Sequence, residues 1–96
     1  MSDPSISEEQ SGSKGRFVIA TPEGEAELTF SILSPRLRIA DHTSVPKALE
    51  GHGYAYKLML HLIEDAKSQG YKIVPLCPYV NAQRAKHPEW SDYFSI

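Results

Sequence analysis

Hydrophobic and polar positions along the chain follow two periods, and their order sets out a small mixed fold. Residues 16–21 form a short apolar run that stops at Pro22-Glu23-Gly24, turn residues that predict a hairpin into a second strand. In that second segment Ala26, Leu28, Phe30 and Ile32 alternate with Glu25, Glu27, Thr29 and Ser31, the period that buries one face of a sheet. Ser34-Pro35 turns the chain into a third strand over 36–45, where Leu37 and Ile39 give way to polar Asp41, His42, Thr43 and Ser44. A strand whose end turns polar often reaches a site.

Beyond a loop over 46–53, Ala55, Leu58, Met59, Leu62, Ile63 and Ala66 lie on one helical stripe, and Gly70 stands where a left-handed C-terminal cap belongs. Lys67 falls in the last turn, where a cation suits the helix dipole. Residues 71–80 read as a buried strand, parallel to the strand before the helix because the crossover is long enough. Pro75 and Pro78 lack a backbone N–H, so the two parallel strands are expected to separate near Cys77. Asn81 is expected to cap a short helix running to about Lys86, stopped by His87-Pro88, with Trp90, Tyr93 and Phe94 returning to the core. The order is β-β-β-α-β-α, an α+β fold with a mixed sheet and no internal repeat.

Composition narrows this. At 96 residues the chain is one domain. Residues 1–14 are polar, with Ile6 their one large aliphatic side chain, and are expected to form a disordered tail ahead of a domain over 15–96. The single cysteine, Cys77, rules out an internal disulfide and a multi-cysteine zinc site. His42, His52, His61 and His87 show no zinc-binding spacing, so no metal is expected. A net charge of −2 argues against nucleic-acid binding, which needs a concentrated basic face. With no leader and no stretch of roughly 18 apolar residues, a soluble cytoplasmic protein without a membrane partner is expected. Oligomeric state leaves no mark on the composition.

Gly51 and Gly53 stand directly between a strand and the strong helix, where backbone N–H groups can converge on a phosphate. The same glycines can instead only shape a tight turn. No Gly-Lys-Ser/Thr is present, and Tyr56 occupies the place where a dinucleotide fingerprint needs a small residue. What remains is Glu50-x-x-Gly53-x-Ala55.

Val45-Pro46, the turn Gly51-His52-Gly53-Tyr54-Ala55, the segment Val74-Pro75-Leu76-Cys77-Pro78-Tyr79-Val80 and His87-Pro88-Glu89-Trp90 together resemble the GNAT superfamily of acetyl-CoA-dependent N-acetyltransferases. The chain looks most like its very short stand-alone, single-domain subgroup, over about residues 17–94. The resemblance implies a minimal GNAT-like fold with two splayed parallel strands, acetyl-CoA as cofactor and an amine acceptor. It places the pyrophosphate on the backbone of Gly51, His52, Gly53, Tyr54 and Ala55. The pantetheine falls along Thr43, Ser44 and Val45, with Tyr79 and Asn81 on the far wall. Glu50 departs from the family's Gln or Arg at the first position of the turn, and a carboxylate beside pyrophosphate is unfavourable unless it points away.

Acetyl transfer from a thioester needs a neutral amine, and an amine with a pKa of about 10.4 is protonated at neutral pH, so a base or a desolvating pocket must help. His42 is the leading base, or else a histidine hydrogen-bonded near the sheet. Asp41 precedes it, but adjacent strand residues face opposite ways. Cys77 can attack the thioester, with His42 as activator, or can be plain packing in a family that commonly transfers directly. Tyr79 can protonate the departing thiolate or simply wall the groove. Lys47, Lys57, Arg84 and Lys86 are candidates for the adenosine phosphates or ordinary surface cations. A non-catalytic acyl-CoA-binding or regulatory module is the competing reading, and the acceptor can be a protein or a small molecule.

Overall fold

The computed structural model describes residues 6–95. Five strands form one sheet in chain order: β1 (Ile6–Ser11), β2 (Lys14–Thr21), β3 (Gly24–Ser34), β4 (Leu37–Ser44) and β5 (Lys72–Pro75). The first four are joined antiparallel, and β5 lies parallel to β4 after the crossover helix α1 (Tyr54–Gln69). Helix α2 (Pro78–Lys86) and a 3-10 segment (Pro88–Tyr93) follow, and Phe94 bridges to Ile73 on the outer side of β5. The fold is α+β with a mixed sheet, as the patterning predicts.

The alternating residues Ala26, Leu28 and Phe30 are fully buried beneath α1, whose Leu58, Met59, Leu62, Ile63 and Ala66 meet them. Removing each Leu, Met, Ile or Phe of this set from water stabilises the fold by about 1.5–3 kcal/mol, so the α1 stripe is the main clamp on the sheet. Gly70 closes α1 with φ of 79°, the left-handed cap expected, and its N–H donates to the Ala66 carbonyl at 2.9 Å. His61, on this helix, is half-buried, with its ring edge-on to Phe17 at a centroid distance of 4.6 Å.

Three expectations change. The polar segment read as a tail supplies β1, which pairs residue for residue with β2 from Ile6↔Ile19 to Ser11↔Lys14, so the sheet has one more strand than the patterning indicates. An edge strand is held by backbone hydrogen bonds, which leave little trace in side-chain hydrophobicity. The ion pair between Arg16 and Glu9 (2.8 Å) and the packing of Ile6 on the core add to them. Residues 1–5 of that segment lie outside the described residues. Secondly, 71–80 is not one strand: β5 ends at Pro75 and α2 begins at Pro78, because proline's fixed φ and missing N–H suit the first turn of a helix. Thirdly, Cys77, not Asn81, is the N-cap residue of α2, and the Asn81 N–H donates to the Cys77 carbonyl at 2.9 Å.

Tyr71 anchors the joint after α1. Its hydroxyl donates to Asp65 at 2.7 Å, and the guanidinium of Arg38 lies 4.2 Å from its ring centroid and 3.4 Å from the same carboxylate. Burial, then the Asp65 carboxylate, pushes the Tyr71 phenol well above its ordinary value of 10.0. The folded state therefore holds this proton more tightly than the unfolded chain does. Its contribution is complete below about pH 10 and is lost as pH rises beyond it. Denaturant unfolding at intervals from about pH 8 to 11 should show the wild-type protein losing stability more steeply than Tyr71→Phe; parallel curves would contradict the assignment.

Candidate active site

The parallel ladder between β4 and β5 runs from Leu37↔Lys72 to Ala40↔Pro75, and the Cys77 N–H then closes on the Ala40 carbonyl at 2.8 Å. Beyond that point β4 continues to Ser44 beside β3 alone, while the other chain segment turns off into α2. The strands part where the prolines predict. Pro75 ends the pairing and Pro78 starts the helix, so a wedge opens beside Thr43, Ser44 and Val45.

The wedge leads to a cleft of about 260 Å³ lined by Val45, Leu49, Glu50, Gly51, Gly53, Tyr54, Ala55, Tyr56 and Tyr79. Gly51 and Gly53 have φ of 88° and 74°, in the left-handed region that glycine enters at no steric cost. A Cβ built on either would meet no other group of the protein within 4 Å. Backbone conformation, not crowding within the protein, demands glycine here.

Gly53 is the N-cap residue of α1, yet no side chain caps this end and no acidic residue lies in the first turn. The Lys57 N–H is the first to close back, onto the Gly53 carbonyl at 3.0 Å. The N–H groups before it are the donors that helices ordinarily satisfy with a Ser, Thr or Asp cap. Backbone donors at an undecorated helix end are the chemistry that suits an anion. Glu50 also lines the cleft but is exposed to solvent, so its carboxylate is free to point away. His52 is exposed beside it and stacks on Tyr54 at 5.5 Å between centroids.

Around the wedge, the structure separates residues that the sequence allowed to be together. The Cys77 thiol is buried and lies 3.3 Å from the Thr43 hydroxyl. Thr43 pairs with Leu28 of the core face, whereas His42 pairs with Thr29 on the opposite face and is exposed. A His42–Cys77 contact is therefore not formed. A register shift between Thr29 and Phe30 makes Asp41 the extra residue of a β-bulge. It brings Asp41 onto the side of the sheet that carries Ser31 and Thr29, contrary to simple alternation, but the Asp41 carboxylate accepts from the Ser31 hydroxyl at 2.8 Å. No hydrogen bond to the His42 side chain is found among the described residues.

Tyr79, in the first turn of α2, is half-buried on the cleft wall, and burial, then the neighbouring Tyr56 and Cys77, raises its phenol above the ordinary value. It stays a protonated donor at neutral pH. Asn81 is exposed, and its side-chain carbonyl accepts from the Arg84 guanidinium at 3.0 Å, away from the cleft lining. Leu49 and Tyr56 line the cleft without having been singled out as site residues. For Tyr56 the signal was its place outside the buried stripe of α1.

A larger trough of about 730 Å³ lies between β1 and β4, lined by Glu9, Lys14, Arg16, Thr29 and Asp41 among others. It contains no residue of the glycine turn, and Arg16 is already held there by Glu9, Glu25 and Glu27. The uncapped helix end gives the smaller cleft the stronger chemistry. Among the described residues no group of three or more His, Cys, Asp or Glu gathers as a metal site, and no helix is long and apolar enough to cross a membrane.

Comparison with known proteins bears on this geometry. No curated protein gives a match to the chain. The sequence profile of the GCN5-related N-acetyl-transferase family matches residues 16–93, from β2 through the splayed strands and the glycine turn to the final 3-10 segment. The chain belongs to the GCN5-related N-acetyltransferase family.

Proposed function

We propose that the protein binds acetyl-CoA in the wedge and cleft and transfers its acetyl group directly to an amine. The observation that carries this reading is the uncapped N-terminus of α1, opening through Gly51 and Gly53 onto the cleft beside parted parallel strands. The pyrophosphate would accept from the free backbone N–H groups of the turn, which need no side chain. The pantetheine would follow Thr43, Ser44 and Val45, whose edge has lost its strand partner, with Tyr79 on the opposite wall. CoA supplies the activated thioester when bound; the protein supplies position, exclusion of water and protons.

Tyr79, on the cleft wall, would give a proton to the departing thiolate; a phenol is protonated at neutral pH, and burial raises this one further. His42 is exposed on the other face of β4, outside the cleft lining, and would serve as base for an amine that arrives from that side. Cys77 is held by Thr43 and, among the described residues, no hydrogen bond joins it to a histidine, which favours direct transfer over an acetyl-enzyme.

Incubation with acetyl-CoA and a panel of primary amines, followed by thiol release, tests the activity. Cys77→Ala should keep turnover within about threefold of wild type, and intact mass should show no enzyme adduct. A Cys77-dependent gain of about 42 Da, or turnover abolished in Cys77→Ala, would replace direct transfer with the covalent route. Binding without turnover on any amine would favour an acyl-CoA-binding module.

A further inference from the structure

Tyr56 is an odd residue for its position. It lies one residue after Ala55 on the first turn of α1, outside the buried stripe, and 39% of its surface is exposed. It lines the same cleft as Gly51 and Gly53. Its ring is 6.0 Å from that of His87 and 6.5 Å from that of Trp90, tilted by 35° and 31°, and His87 and Trp90 stack on one another at 4.1 Å and 20°. Glu89 fixes the imidazole through Nδ1 at 2.8 Å.

Three rings thus form a continuous aromatic step that leads away from the cleft, with Tyr56 its one member in the lining, and none of them belongs to the fully buried core. Arg84 and Lys86 stand in the last turn of α2, just ahead of His87 in the chain, with the Arg84 guanidinium donating to Asn81. A helix rises about 1.5 Å per residue, so Tyr56 stands only one short step from the N–H groups that face the pyrophosphate. In CoA the adenosine is bonded directly to that pyrophosphate, so the base must come to rest close to the turn.

We propose that Tyr56, His87 and Trp90 form a stacking platform for the adenine of CoA, so that the protein selects a free, nucleotide-bearing acyl-CoA over a pantetheine-phosphate thioester carried on a protein. This rests on the cofactor reading above. Stacking of a base on aromatic side chains strengthens binding by about 5- to 150-fold, enough to discriminate the two donors. A merely structural cluster, closing the joint between α1 and α2, would affect both donors alike.

The chain contains a single tryptophan, so its fluorescence reports on this step alone. Titration with CoA should change Trp90 emission, whereas 4′-phosphopantetheine should bind at least about tenfold more weakly and leave the emission unaltered. Tyr56→Ala should weaken CoA about tenfold, weaken 4′-phosphopantetheine by no more than about threefold and be rescued by Tyr56→Phe, with circular dichroism confirming the fold. Equal affinity for the two ligands, or equal losses for both in Tyr56→Ala, would overturn the platform while leaving the cofactor reading intact. Failure of CoA itself to bind would overturn both.

Discussion

Gly53→Val is expected to weaken acetyl-CoA binding by about 100-fold or more while leaving the protein folded. Gly53 sits at φ of 74°, a conformation that valine, branched at Cβ, adopts only with strain. To relieve it, the turn must rotate, and rotation swings the N–H groups of the first turn of α1 away from the anion. Each hydrogen bond to a charged group contributes about 1.5–3 kcal/mol, so losing one or two accounts for the change in affinity. A Cβ at Gly53 would meet no group beyond its chain neighbours within 4 Å, so the added bulk starts into open space beside the cleft. The left-handed residue itself costs about 1–2 kcal/mol, a fall in Tm of about 5–15 °C for a domain this size. Calorimetry and a thermal melt read the two effects separately. An affinity within about threefold of wild type would remove the turn from the binding site.

The second large effect is on stability. Phe17→Ala should destabilise the protein by about 3–5 kcal/mol, a large share of the roughly 5–15 kcal/mol that holds a domain of this kind together. Phe17 is fully buried on β2, 4.9 Å from the Phe30 ring and 4.6 Å from that of His61, so its loss opens a cavity between sheet and α1. Phe17→Leu, which refills most of that space, should cost no more than about 1.5 kcal/mol. Urea unfolding of the two variants measures the difference. A cost below about 1 kcal/mol for Phe17→Ala would mean that the core beneath α1 collapses around the gap.

Periodicity made α1 and β3 legible because their partners bury one face: Leu58, Met59 and Leu62 meet Leu28 and Phe30. β1 was hidden because Ser7 to Ser11 contribute backbone pairing and exposed side chains, neither of which has a hydrophobic signature. Pro75 and Pro78 foretold the parting of β4 from β5, but not that Pro78 would serve as the first residue of α2. A missing N–H marks the end of a ladder but leaves the next element unspecified.

In the site, the glycine turn was readable because positive φ leaves glycine as the residue of choice. The relation of His42 to Cys77 was not. It depends on which face each residue takes and on the bulge at Asp41, a register feature with no local sequence mark. Thr43 as the partner of Cys77, and Tyr56 beside His87 and Trp90, are contacts between residues more than thirty positions apart. Such contacts exist only once the sheet and α1 are assembled.

Isothermal titration of the wild-type protein with acetyl-CoA is the most direct measurement. One equivalent should bind with Kd in the micromolar range, about −8 kcal/mol, and Gly53→Val should abolish most of the heat under the same conditions. Absence of measurable binding at millimolar acetyl-CoA, by a protein shown to be folded, would contradict the assignment of this cleft.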